Sequence, residues 1–170
     1  MPRKAKRSVV ARKSVFIAAE GYVETAFLEI LREYYSLKEY KVSVKNRRGG
    51  SSDQTVRYAC NEAADHYSVA AVIDADMPLS DSVLRLAQKC GVHVIISTPA
   101  IEGTLLKILG IAHSDNTDVC KREFAECVGH GKTTHKASQK MIFPKALLDR
   151  SIDDVEELRA MVQVIIGNSP

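Results

Sequence analysis

The stretch "VAAVIDADMP" (69–78) decides how this chain folds. Five apolar residues, all Val, Ala or Ile, run into Asp74 and Asp76, and Pro78 then stops the run. Unbroken hydrophobicity of this length, rich in Val and Ile, suits a strand of a parallel sheet covered on both faces. "SVFIAA" (14–19), "YKVSV" (40–44) and "VHVIIS" (92–97) read the same way. Two carboxylates two residues apart at the end of a buried strand repel each other unless something positive lies between them.

Working outward, helical patterns separate the strands. Val23, Phe27, Ile30, Leu31 and Tyr34 share one face, and Val56, Cys60, Ala63 and Tyr67 share another. The second helix opens at "SSDQ", where Ser51 and Gln54 have capping-box spacing. "PLSDSVLRLAQKCG" reads as a third helix starting at Pro78 and stopping at Gly91. A fourth is expected from about Pro99 to Leu109. Strand and helix alternating four times define an α/β domain: a central four-stranded parallel sheet, Rossmann-like, flanked by helices. Beyond Gly110, "SDNTDVCKREFAECVG" reads as a helix and "HGKTTHKASQK" as a polar loop. "SIDDVEELRAMVQVII" reads as a last helix capped by Ser151 and Asp154. The expected organisation is a basic, disordered arm over 1–13, an α/β core over 14–111 and a C-terminal helical extension over 112–170.

Composition sets the class. Of 170 residues, 45% are hydrophobic and 26% charged, the balance of a globular domain. The apolar runs are too short to span a bilayer and no apolar h-region follows the basic N-terminus, so a cytoplasmic protein is expected. Cys60, Cys90, Cys120 and Cys127 form no CxxC pair, in keeping with reduced thiols. The arm holds Arg3, Lys4, Lys6, Arg7, Arg12 and Lys13 and no acid. Taking those six from the 24 Lys and Arg leaves 18 against 21 Asp and Glu, so the remainder carries about −3. Such an arm reads either as a contact for nucleic-acid phosphates or as a solubilising leader.

Ligands in open α/β sheets bind beyond the carboxyl ends of the strands. "AAEGYVET" places Glu20 at the first strand's end and Glu24 a helical turn later. Asp74 and Asp76 end the third strand, and "ISTPAIEG" places Ser97 at the edge and Glu102 in the next helix's first turn. Five acids thus converge on one edge. A divalent cation resolves their repulsion, and Mg²⁺ is suited, often taking only one or two carboxylates plus waters and phosphates. Taken singly, Glu24 and Glu102 also read as residues complementing a helix dipole.

The ordered elements "AAEGYVETAFLEIL", "VIDADMP" and "STPAIEGTLLKIL" resemble the Toprim domain of topoisomerases, primases and OLD-type nucleases. They look most like its RloB-like branch, whose pattern reads EGxxTE, DxD, SxPxxExxLL, and the resemblance covers about residues 14 to 110. Here the pattern's Thr-Glu pair is reversed, as Glu24-Thr25. The resemblance implies a Toprim-like fold and Mg²⁺- or Mn²⁺-dependent phosphodiester chemistry in defence or nucleic-acid processing. It makes Glu20 a general acid/base or metal ligand, with Asp74 and Asp76 holding the metal. Glu24 and Glu102 would complete a second site, two ions roughly 4 Å apart. The partner it implies is DNA or RNA, and it leaves room for a partner subunit or a homo-oligomer.

Other readings stand beside this one. A non-catalytic nucleic-acid-binding or regulatory module working with a partner subunit, or a phosphatase or nucleotide hydrolase, would use the same fold. Arg47 and Arg48 beside Gly49, Gly50 and a helix N-terminus favour phosphate binding, or else form a mobile surface loop. Lys132 and Lys136 either reach the substrate's phosphates, as the resemblance to OLD-type nucleases implies, or are simply solvated. The GKT of "GHGKTTHK" is no P-loop: the position needing Gly is Glu126 and no strand precedes it. Cys120, Cys127, His130 and His135 make an unfamiliar zinc ladder, and read more simply as two cysteines on a buried helix face with two loop histidines. His66, His93 and His113 stand apart from any Ser or Cys nucleophile.

Overall fold

In the computed structural model, which describes residues 11–47 and 49–169, all four expected strands form. The first, β1 (Lys13–Ala19), leads through α1 (Tyr22–Tyr35) to β2 (Tyr40–Asn46). Helix α2 (Ser52–Glu62) and a 3₁₀ turn over Ala63–Asp65 lead to β3 (Ser68–Asp74), then α3 (Asp81–Cys90), β4 (His93–Ser97) and α4 (Ile101–Ile108). Four helices complete the chain: α5 (Thr117–Val128), α6 (Lys136–Ile142), α7 (Lys145–Ser151) and α8 (Glu156–Ile165).

The sheet is all parallel in the order β2-β1-β3-β4, with Ala19 opposite both Asn46 and Val72, and Asp74 opposite Ser97. Strand side chains alternate, and here both alternating sets are apolar. Val15, Ile17, Ala19, Ala70 and Val72 join one core with residues of α1, α4, α5 and α8. Phe16, Ala18, Val69, Ala71 and Ile73 join a second with Val56, Ala59, Val83 and Ala87 of α2 and α3. The helix leaving β1 therefore covers one face, and the helix leaving its neighbour β3 covers the other. That divergence opens a crevice beyond the carboxyl ends of β1 and β3, the switch point where such sheets hold ligands.

Local chemistry explains the boundaries. The Ser51 hydroxyl accepts from Gln54 N, starting α2 where expected. Gly91, at φ +69°, ends α3 in the left-handed conformation a side chain resists. At its other end α3 starts at Asp81, three residues after Pro78. Asp53 accepts from Ser80 N (3.0 Å) and Ser80 Oγ (2.7 Å), holding residue 80 extended as the N-cap. Tyr67 is not on α2, which has already ended; its ring lies against Tyr40 and under the Lys13 ammonium. Lys13 itself opens β1, inside the segment expected as an arm.

The C-terminal segment departs further from expectation. Half of "HGKTTHKASQK" is helix α6, anchored through buried Gln139, whose Nε2 donates to Val23 O (3.1 Å) and Thr133 O (2.6 Å). Ser151 ends α7 by donating to Leu147 O (3.0 Å) instead of capping the last helix, which begins at Glu156 after Val155. Leu158, Met161, Val164 and Ile165 of α8 are buried in the core beneath β3 and β4. Among the described residues no helix is long and apolar enough to cross a membrane.

Candidate functional site

Glu20 follows β1 directly. Its Oε2 accepts from Ser52 Oγ at the start of α2 (2.9 Å) and from Asp74 N at the end of β3 (3.3 Å), tying three elements together at the switch point. Asp74 has an attachment of its own. Helix α4 has Ala100 at its N-cap, with no side-chain oxygen to offer. Asp74 Oδ1 supplies one from β3, accepting from Ile101 N at 2.8 Å. Glu24 and Glu102 occupy the first turns of α1 and α4, whose N-termini both open on the same space. Asp76 is exposed at the rim.

All five acids line one cleft of about 300 Å³, together with Gly21, Tyr22, Val23, Ile101 and Lys121. Three of them are nearly out of water: Glu24 is 4% exposed, Glu102 6% and Asp74 9%. Oε2 of Glu102 is buried with no hydrogen-bond partner among the described residues. Such an oxygen loses hydration and gains nothing in return.

Burial first, then the charges of Asp74, Glu102 and Glu20, push the Glu24 carboxyl up to about 8. Burial and the neighbouring Glu102, Glu20 and Asp76 push Asp74 up to about 7, against the opposing hydrogen bond from Ile101. Glu102 is also raised by burial, and Lys121 works in the other direction. A carboxylate merely complementing a helix dipole would be lowered, so for Glu24 and Glu102 desolvation and mutual repulsion outweigh the dipole.

The site's donors are all carboxylate oxygens, and one is buried without a partner. That chemistry fits a hard divalent cation. Among the described residues no three His, Cys, Asp or Glu side chains are drawn into a ready-made cage. The arrangement suits a cation held by one or two carboxylates, with water and substrate oxygens completing its shell.

The expected cations are distributed unevenly. Arg47 is exposed beside the start of α2, its Nη1 donating to Gln54 O (3.2 Å). Lys132 is exposed in the turn between α5 and α6. Lys136 is not brought to the cleft: with Lys140 it pairs with Glu33, about three helical turns along α1 from the site. Arg48, Arg3, Lys4, Lys6 and Arg7 lie outside the described residues. Cys120 is buried and donates to Ser114 O (3.0 Å), whereas Cys127 is exposed.

Ser52, Lys121 and Tyr22 escaped the sequence reading. Ser52 sits beside the cap residue Ser51 and carries the legible half of a signal, a second hydroxyl at a helix start. Lys121 reaches the cleft only because α5 packs on α4, which no local pattern announces. Set against known protein families, curated proteins and solved structures, the chain matches none.

Proposed function

We propose that the chain is a Mg²⁺- or Mn²⁺-dependent nuclease of the Toprim, RloB-like kind, working in the cytoplasm in defence or nucleic-acid processing. The observation that carries this reading is the meeting of five acids at the β1/β3 switch point, with the Glu102 oxygen buried and unpartnered. Asp74, through the oxygen not given to Ile101, would hold the cation with Asp76, water and substrate oxygens completing its shell, and Glu24 and Glu102 would complete a second site. When bound, the cation supplies charge neutralisation at phosphate oxygens and lowers the pKa of water.

The remaining roles belong to the chain. Ser52 and Asp74 N fix Glu20 through Oε2, leaving Oε1 to accept or return a proton as general acid/base. Lys121, across the cleft, attracts the substrate phosphate. Arg47, Lys132 and the basic residues before position 11 extend the contact along a DNA or RNA strand. A partner subunit or a second copy of the chain would supply target choice.

The test is incubation with single- and double-stranded DNA and RNA in Mg²⁺, Mn²⁺ or EDTA. Cleavage should require the metal and fall by about a hundredfold or more in Glu20→Gln and Asp74→Asn. Cleavage that survives EDTA or both substitutions rejects the site. Metal-dependent binding without any cleavage would instead mark a non-catalytic nucleic-acid-binding module.

A further inference from the structure

We infer that Tyr22 is a stacking platform for an unpaired base, so that the cleft takes single-stranded nucleic acid; the inference rests on the nuclease reading above. The chain has six tyrosines. Five are engaged by other side chains: Tyr34 with Tyr35, Tyr40 with Tyr67, and Tyr58 edge-on to Phe16. Tyr22 lines the carboxylate cleft, 58% exposed, and among the described residues it makes no ring, cation or hydrogen-bond contact. As the first residue of α1, its position is fixed by a helix rather than a loop.

The charge of the cleft makes such a ring necessary. Among the described residues its wall carries one cation, Lys121, against five acids. Nucleic-acid affinity from phosphate neutralisation scales with the number of cations placed on the backbone; the cleft itself offers one, and Arg47, Lys132 and the basic residues before position 11, outside it, attract duplex and single strand alike. Bound metal would offset the acids locally, at the scissile phosphate, without gripping the flanking nucleotides. Uncharged contact must contribute the rest. An exposed aromatic ring supplies it to a base with a free face, and a duplex exposes such a face only after unstacking.

The experiment is fluorescence anisotropy of labelled strands about ten nucleotides long, the order of a single-strand site, with Ca²⁺ replacing Mg²⁺ so that the strands stay intact. Tyr22→Ala should weaken single-strand binding about 5- to 150-fold, and Tyr22→Phe should stay within about twofold of wild type. A blunt duplex should bind less tightly than the single strand and be indifferent to either change. An abasic strand should bind wild type as weakly as the ordinary strand binds Tyr22→Ala. Single-strand binding unchanged in Tyr22→Ala, or a wild type that prefers duplex, overturns the inference. If metal-dependent cleavage is still lost in Asp74→Asn, the nuclease reading survives that failure. A wild type that neither binds nor cleaves any strand overturns both.

Discussion

Asp74 divides its two oxygens between the fold and the cleft. One holds the first turn of α4, and the other is left to a cleft that raises the carboxyl to about 7. The pH dependence follows in sign. Over the range where the unfolded chain has lost these protons and the folded chain keeps them, stability falls as pH rises. The fall therefore begins near the ordinary carboxylate range and ends as pH passes about 7 for Asp74 and about 8 for Glu24. Each tenfold change in proton affinity is worth about 1.4 kcal/mol, an upper figure before relaxation. Melting curves in EDTA should show wild type losing stability across that range, and Asp74→Asn should flatten the fall. Above pH 7 the Asn variant should be more stable than wild type by roughly 1 kcal/mol. Because Asn keeps an acceptor for Ile101 N and Ala does not, Asp74→Ala should fall about 1 kcal/mol below the Asn variant. An Asn variant that melts below wild type there would mean that protein donors satisfy the charge. Added Mg²⁺ should restore wild type more than either variant, since binding to the folded state shifts unfolding by mass action.

At the scale of elements, the legible parts were those whose signal is local. The four strands were readable because both faces are covered, so apolar residues run without a break. Ser51 and Gly91 were readable because caps use few residue types. Helix α6 was not: it is held by Gln139 reaching backbone oxygens of other segments, and a polar anchor leaves no apolar stripe to find. Gly103 of α4 was equally silent. A Cβ there would lie 2.9 Å from Thr98 O and 2.8 Å from Pro99 Cδ, so the helix approaches the end of β4 only because that position is bare. Gly103→Ala should destabilise by about 1–3 kcal/mol, read as a shift in denaturant midpoint. Gly91→Ala meets no atom within 4 Å, so its smaller loss, about 1 kcal/mol, should reflect left-handed backbone alone. Equal costs at the two positions would remove the close-approach explanation for Gly103.

Across the whole molecule, acids and cations were legible to different degrees. The five acids could be placed together because strand ends in a parallel sheet share an edge, whatever the side-chain packing. The cations could not, because their positions depend on how helices dock. Lys136 is claimed by Glu33, and Lys121 arrives from α5. Nucleic-acid attraction should therefore lean on the basic residues before position 11. A truncation must spare Lys13, which belongs to β1 and covers Tyr67 at 4.2 Å. Removing residues 1–10 takes away Arg3, Lys4, Lys6 and Arg7. The log–log salt slope of binding should then fall by up to about 4 units on duplex and about 3 on single strands. Melting behaviour and metal response should not change. An unaltered slope would make that segment a solubilising leader.

The cap that Asp74 provides to α4 also limits how this chain can drift. If the proposed cation site fell out of use, a lineage would be free to abandon Asp76, which is exposed and makes no hydrogen bond among the described residues. Position 74 would stay constrained, because Ala100 offers no substitute acceptor and Ile101 N would lose its partner. Retired copies of such a domain should therefore carry Asn, and less often Ser or Thr, at 74, while 76 varies widely. A saturation scan scored for folding alone, with no nucleic acid or metal present, would show this as Asn ranked above Ala and Leu at 74 beside an even tolerance at 76. Acceptance of Leu or Ala at 74 as readily as Asn in that scan would mean the α4 cap carries no weight.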